Sequence, residues 1–76
     1  VRVGSFTRVP ITVTIRNDKP QPIEIEVRPG ESTYRGFRIV RSSARHVITE
    51  GGYPAWRLRV PAGGVTTLTY TIEYED

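Results

Sequence analysis

Four stretches of this chain alternate apolar and polar side chains with a period of two, the pattern of strands that bury one face. In residues 11–16, Ile11, Val13 and Ile15 point one way while Thr12, Thr14 and Arg16 point the other. Residues 23–28 set Ile23, Ile25 and Val27 against Glu24, Glu26 and Arg28. Residues 55–60 place Trp56, Leu58 and Val60 opposite Arg57 and Arg59. The longest run, residues 65–75, opposes Leu68, Tyr70, Ile72 and Tyr74 to Thr69, Thr71, Glu73 and Glu75. Shorter candidates are residues 37–41, with Phe37 and Ile39 inward, residues 47–49, and a leading piece within 1–9. Six or seven strands are predicted. Composition points the same way. Nine Val, seven Ile and nine Thr stand against three Ala, two Leu and no Met, the reverse of what a helical domain uses.

The breaks between these runs carry turn chemistry. The segment Asn17-Asp18-Lys19-Pro20-Gln21-Pro22 cannot continue a central strand, because each proline lacks a backbone donor. Pro29-Gly30 suits the two middle positions of a type II turn, with the glycine supplying a positive φ. Gly51-Gly52 reads as a tight hairpin, and Pro61-Ala62-Gly63-Gly64 turns the 55–60 strand back into the 65–75 strand. One sheet cannot bury the inward residues of so many strands. The expected fold is therefore an all-β, antiparallel, immunoglobulin-like β-sandwich, with Trp56, Phe37, Tyr70 and the Ile/Val set as its core. The 76 residues form a single domain with room for one core. Because the chain starts at Val1 and contains no methionine, it reads as a domain cut from a longer protein or a chain processed at its N-terminus. No apolar run approaches the roughly 20 residues of a membrane-spanning helix.

Candidate chemistry is sparse. With no cysteine, there is neither a disulfide framework nor a Cys-based metal site. His46 is the only imidazole, so it can anchor neither a zinc site nor, with Asp18 or a frayed Asp76 as its only aspartate partners, a convincing nucleophilic triad. The pairs Glu24/Glu26 and Glu73/Glu75 each lie on one strand face, members about 6.6 Å apart. Both pairs are expected to face water, where a carboxyl gains no desolvation shift. Cross-strand pairing with Arg57, Arg59 or Arg16 accounts for them. No enzyme activity and no cofactor are therefore expected. Tyr53 and Trp56, flanking Pro54, could form a shelf for a sugar ring, but alternation with Leu58 and Val60 makes Trp56 a core residue.

Net charge is +3, and ten of the eleven basic residues are arginine. The one dense basic cluster is Arg35, Arg38, Arg41, Arg45 and His46, interleaved with Tyr34 and Phe37. It has two readings: a solvated, salt-bridged surface, or an anion- or single-stranded nucleic-acid-binding patch built from Arg35, Arg38, Arg41 and Arg45. In an unbroken strand Arg35, Phe37 and Arg41 share one side and Arg38 takes the other. Since Phe37 is a core candidate, the strand must bend, for instance through a bulge between Ile39 and Val40.

The phrase running from Ile11 to Val27 is a strand ending in Asn17, a Lys19-Pro20 loop and a second alternating strand. Together with Phe37-Arg38-Ile39, Ser42-Ser43, Val60-Pro61-Ala62-Gly63 and Leu68-Thr69-Tyr70, it resembles the C-terminal β-sandwich of uncharacterised bacterial mucoidy-inhibitor-A-like proteins. The likeness covers about residues 11–74 and extends to other immunoglobulin-like modules of bacterial envelope proteins. It implies a non-catalytic structural or interaction module of a larger bacterial protein, and it transfers no active-site residue. The partner expected is a neighbouring domain of the same chain or another protein, met through an exposed strand edge.

Overall fold

A computed structural model describes residues 4–30, 32 and 34–76. Among them are six strands and no helix: β1 (Phe6–Arg16), β2 (Ile23–Val27), β3 (Arg38–Ser42), β4 (Val47–Ile48), β5 (Pro54–Val60) and β6 (Val65–Glu75). They form two three-stranded antiparallel sheets, in the orders β1-β6-β3 and β2-β5-β4. The predicted leading piece is continuous with the 11–16 strand in β1, except for residues 1–3, which lie outside the described residues.

Alternation sets the inner faces. In the first sheet Val9 lies opposite Ile72, Ile11 opposite Tyr70 and Val13 opposite Leu68. Leu68, Ile72 and Trp56 are fully buried and Tyr70 nearly so. The main contact between the sheets is β5 against β6. There the Trp56 ring lies on Tyr70 with centroids 4.3 Å apart, tilted by 30°. The indole N–H donates to Ser42 Oγ at 2.9 Å and to the Ala44 carbonyl at 3.0 Å, so its burial leaves no polar atom unsatisfied. Phe37, Ile39, Val27 and Leu58 pack around this cluster, half-buried. Trp56 is a core residue, not a shelf.

Two turns follow their sequences and one does not. Gly51 and Gly52 both take positive φ, 93° and 83°, in the β4–β5 hairpin, where Thr49 N donates to Tyr53 O at 2.7 Å. The 61–64 turn closes with Gly64 N donating to Pro61 O at 3.0 Å. Gly30, however, has no positive φ. Pro29 accepts from Ser32 N at 3.3 Å, so it stands first of the turn's four positions and Gly30 second, one place earlier than expected. Pro29 is buried, and at the first position its fixed φ does not select a type II turn. Asp76, expected to fray, instead donates its N–H to Ser5 O at 2.9 Å and accepts from the Thr7 hydroxyl.

Asn17 is the second buried polar centre. It is 2% exposed, and its amide nitrogen donates to the carbonyls of Gln21 at 2.7 Å, Val60 at 3.3 Å and Pro61 at 3.2 Å. Its side-chain oxygen accepts from Lys19 N at 3.0 Å, and its backbone N–H donates to Gly64 O at 2.9 Å. One side chain therefore ties the proline loop after β1 to the turn between β5 and β6.

Candidate functional site

The outward residues of the first sheet form two cross-strand rows. Arg8 of β1, Glu73 of β6 and Arg38 of β3 lie side by side, and the next row is Pro10, Thr71 and Arg41. The pairing of β3 with β6 shifts register between Ile39 and Arg41, leaving Val40 as the extra residue of a bulge. The conflict in the 35–41 alternation is resolved there. Phe37 and Ile39 pack on the core, and the inserted residue returns Arg41 to the outer face that Arg38 occupies. Arg8, Arg38, Val40, Arg41 and Thr71 line a concave space of about 470 Å³ on this face.

Glu73 departs from expectation. The Glu73/Glu75 pair was expected to be open to water, yet Glu73 is 1% exposed. It stands on the central strand with an arginine on either side in register, and long arginine stems cover what lies between them. Its Oε2 accepts from Arg8 Nε at 2.7 Å, so among the described arginines the one paired with it is Arg8, not Arg57, Arg59 or Arg16. On the other sheet Glu26 meets Arg28 at 2.7 Å and Arg57 at 3.8 Å, and Glu24 sits beside Arg59 in register. Those pairs are exposed and contribute little.

The structure divides the predicted basic cluster. Arg38 and Arg41 come together in the cleft, and neither makes an ion pair or side-chain hydrogen bond among the described residues. Arg35 sits in the turn before β3, where its carbonyl accepts from Glu75 N at 2.8 Å. Arg45 lies in the segment between β3 and β4, exposed. Neither lines the cleft. Arg8, which does, is separated from Arg38 by thirty positions. Its outward parity in the same alternation as Ile11, Val13 and Ile15 was the available signal, but its place beside Arg38 depends on two strand pairings that local sequence does not specify.

A second feature lies where the chain crosses from one sheet to the other. β3 ends the first sheet and β4 ends the second, and between them opens a slot of about 480 Å³ lined by the apolar Phe37, Ile39, Ile48 and Tyr53 and by the polar Arg38 and His46, among others. Ile48 is 64% exposed and Tyr53 47%. His46 is half-buried, its ring centroid 6.2 Å from that of Trp56 in an edge arrangement. No three His, Asp or Glu side chains among the described residues come together as a metal site.

No protein-family model matches the chain, and comparison with curated proteins and with solved structures yields no match. Fold and site together define a class only: an all-β chain of two antiparallel three-stranded sheets, with an arginine-lined cleft on one outer face and a slot of mixed apolar and polar lining at one flank.

Proposed function

We propose that this chain is a non-catalytic interaction module, an immunoglobulin-like β-sandwich within a larger bacterial protein of the mucoidy-inhibitor-A-like kind. The observation that carries this reading is the slot between the ends of the two sheets. Neighbouring exposed apolar side chains, Ile48 and Tyr53, stand beside strands with no further neighbour among the described residues. An end strand offers unpaired backbone groups, and a slot beside it with exposed apolar side chains accepts alternate side chains of an added strand. The occupant is an extended segment of a neighbouring domain or another protein. The likeness of residues 11–74 to the C-terminal sandwich of that family supports the same reading.

Amide hydrogen exchange tests it, measured on these 76 residues and on the full product of the gene that encodes them. Slower exchange at Ile39 and around Ile48 in the full product is the expected result. A gene encoding no further domain sinks the proposal, and equal rates at these amides in both proteins exclude a neighbouring domain as the occupant.

A further inference from the structure

Like charges gathered on one face of a sheet repel one another. The first sheet nevertheless places Arg8 and Arg38 on either side of Glu73 with Arg41 in the next row, and the bulge at Val40 brings the third of them to that face. Glu73 pairs with one of the three, and Glu75, two residues along the same face, lies against Gly36 and does not line the cleft, so Arg38 and Arg41 face it without a carboxylate partner among the described residues. The bond to Glu73 uses Arg8 Nε, and the Arg8 side chain is 68% exposed, so its terminal amino groups extend toward solvent. Arg38 and Arg41 keep their whole donor forks unengaged among the described residues. A planar guanidinium fork matches two oxygens of a tetrahedral oxyanion, and Thr71 lines the same space.

We propose that Arg8, Arg38 and Arg41 bind one oxyanion of the phosphate or sulfate class, carried as a monoester. Glu73 is a positioning residue, holding Arg8 from beneath the cleft. The space of about 470 Å³ is larger than one oxyanion and falls within the size range of small-ligand sites, roughly 300–1,000 Å³, so part of the group bearing the ester enters with it. The lining supplies Val40 and Thr71 beside the arginines and no aromatic ring, so a nucleic-acid base finds nothing to stack on. This site goes beyond the interaction-module reading: it opens on the outer sheet face, and Arg38 alone lines both it and the slot.

The test is a titration of the chain, labelled with ¹⁵N at arginine, with inorganic phosphate, sulfate and phosphoserine, following the arginine Nε–H signals. Saturable binding of one equivalent that moves the signals of Arg8, Arg38 and Arg41 is expected. Arg41→Gln should weaken it about tenfold or more, the loss expected for a charge-assisted hydrogen bond, and Arg45→Gln less than twofold. Arg41 is exposed and bonds no other side chain among the described residues, so Arg41→Gln should keep the parent melting temperature and report binding alone. A preference for phosphoserine over sulfate, or the reverse, supports the site and identifies its oxyanion. Three results overturn it: equal weakening by Arg41→Gln and Arg45→Gln; oligonucleotide affinity that grows with length and exceeds that of phosphoserine; or no saturation by about 10 mM, beyond the millimolar range.

Discussion

At the scale of single residues, stability concentrates in two side chains that each satisfy several partners. Trp56 fills the contact between the sheets and spends its one N–H on Ser42 and Ala44. Trp56→Ala removes the largest buried side chain and should cost about 3–5 kcal/mol, comparable to the whole stability of a domain this small. The variant should be largely unfolded at room temperature, and the parent should show blue-shifted tryptophan emission. Fully solvent-exposed emission from folded parent protein would contradict the core assignment. Asn17 makes a sharper case, because its amide faces three carbonyl oxygens. Asn17→Ala should destabilise by about 1–3 kcal/mol, the cost of leaving buried polar groups unsatisfied. Asn17→Asp should cost more at neutral pH, since it sets a buried anion against those same oxygens. That carboxyl would have its folded-state pKa raised by burial and by its carbonyl neighbours, so protonation favours the folded form. The N17D variant should therefore recover stability as pH falls, relative to N17A. Urea melts of both variants across the acidic range check it, and N17D tracking N17A at every pH would refute the carbonyl cage.

At the scale of elements, parity was legible in the sequence and partnership was not. The alternation of residues 11–16, 23–28, 55–60 and 65–75 marks four strands, because one buried face imposes a period of two on a single segment. The conflict between Phe37 and Arg41 was legible too, and the bulge answers it. Which strand lies beside which depends on contacts between distant segments. Arg8 therefore stayed hidden as the neighbour of Glu73 and Arg38, and Asn17 looked like a simple strand end. Burial of Glu73 was missed for the same reason: outward parity implies water only when the flanking strands carry short side chains. Parity also gives Pro10 a role. Asp76 N bonds Ser5 O at one end of the β1–β6 ladder, and Asn17 N bonds Gly64 O at the other. Antiparallel alternation then turns the backbone groups of odd-numbered β1 residues toward β6 and those of even-numbered ones away from it. Pro10, opposite Thr71, thus removes an N–H from the outer side of β1, one of the devices that stop end strands from recruiting other chains. Pro10→Thr should keep the fold and restore that donor. Sedimentation velocity over a concentration series should show the variant self-associating where the parent does not, and a strictly monomeric variant would show that Pro10 guards nothing.

At the scale of the whole molecule, long strands and a short core set both shape and stability. β1 and β6 each run eleven residues, about 37 Å of extended chain, while the two sheets meet chiefly where β5 crosses β6. The molecule measures 50 × 25 × 16 Å with a Cα radius of gyration of 14.5 Å, against about 11 Å for a compact domain of this length. Its accessible surface is 5509 Å², whereas a compact monomer of this mass exposes roughly 4,700 Å². Surface left exposed is apolar burial not gained, so the isolated chain should unfold in urea with a free energy no greater than about 3–5 kcal/mol. Small-angle scattering of the folded chain should give a radius of gyration clearly above the compact value. The two measurements are linked through the same missing contact between sheets. A chain that scatters as a compact particle and resists urea with about 8 kcal/mol or more, well inside the range of fully packed domains, would show that the sheets close over a larger core than Trp56 and Tyr70 supply. A chain that is both elongated and marginal would show instead that its outer faces and open slot remain available to whatever binds there.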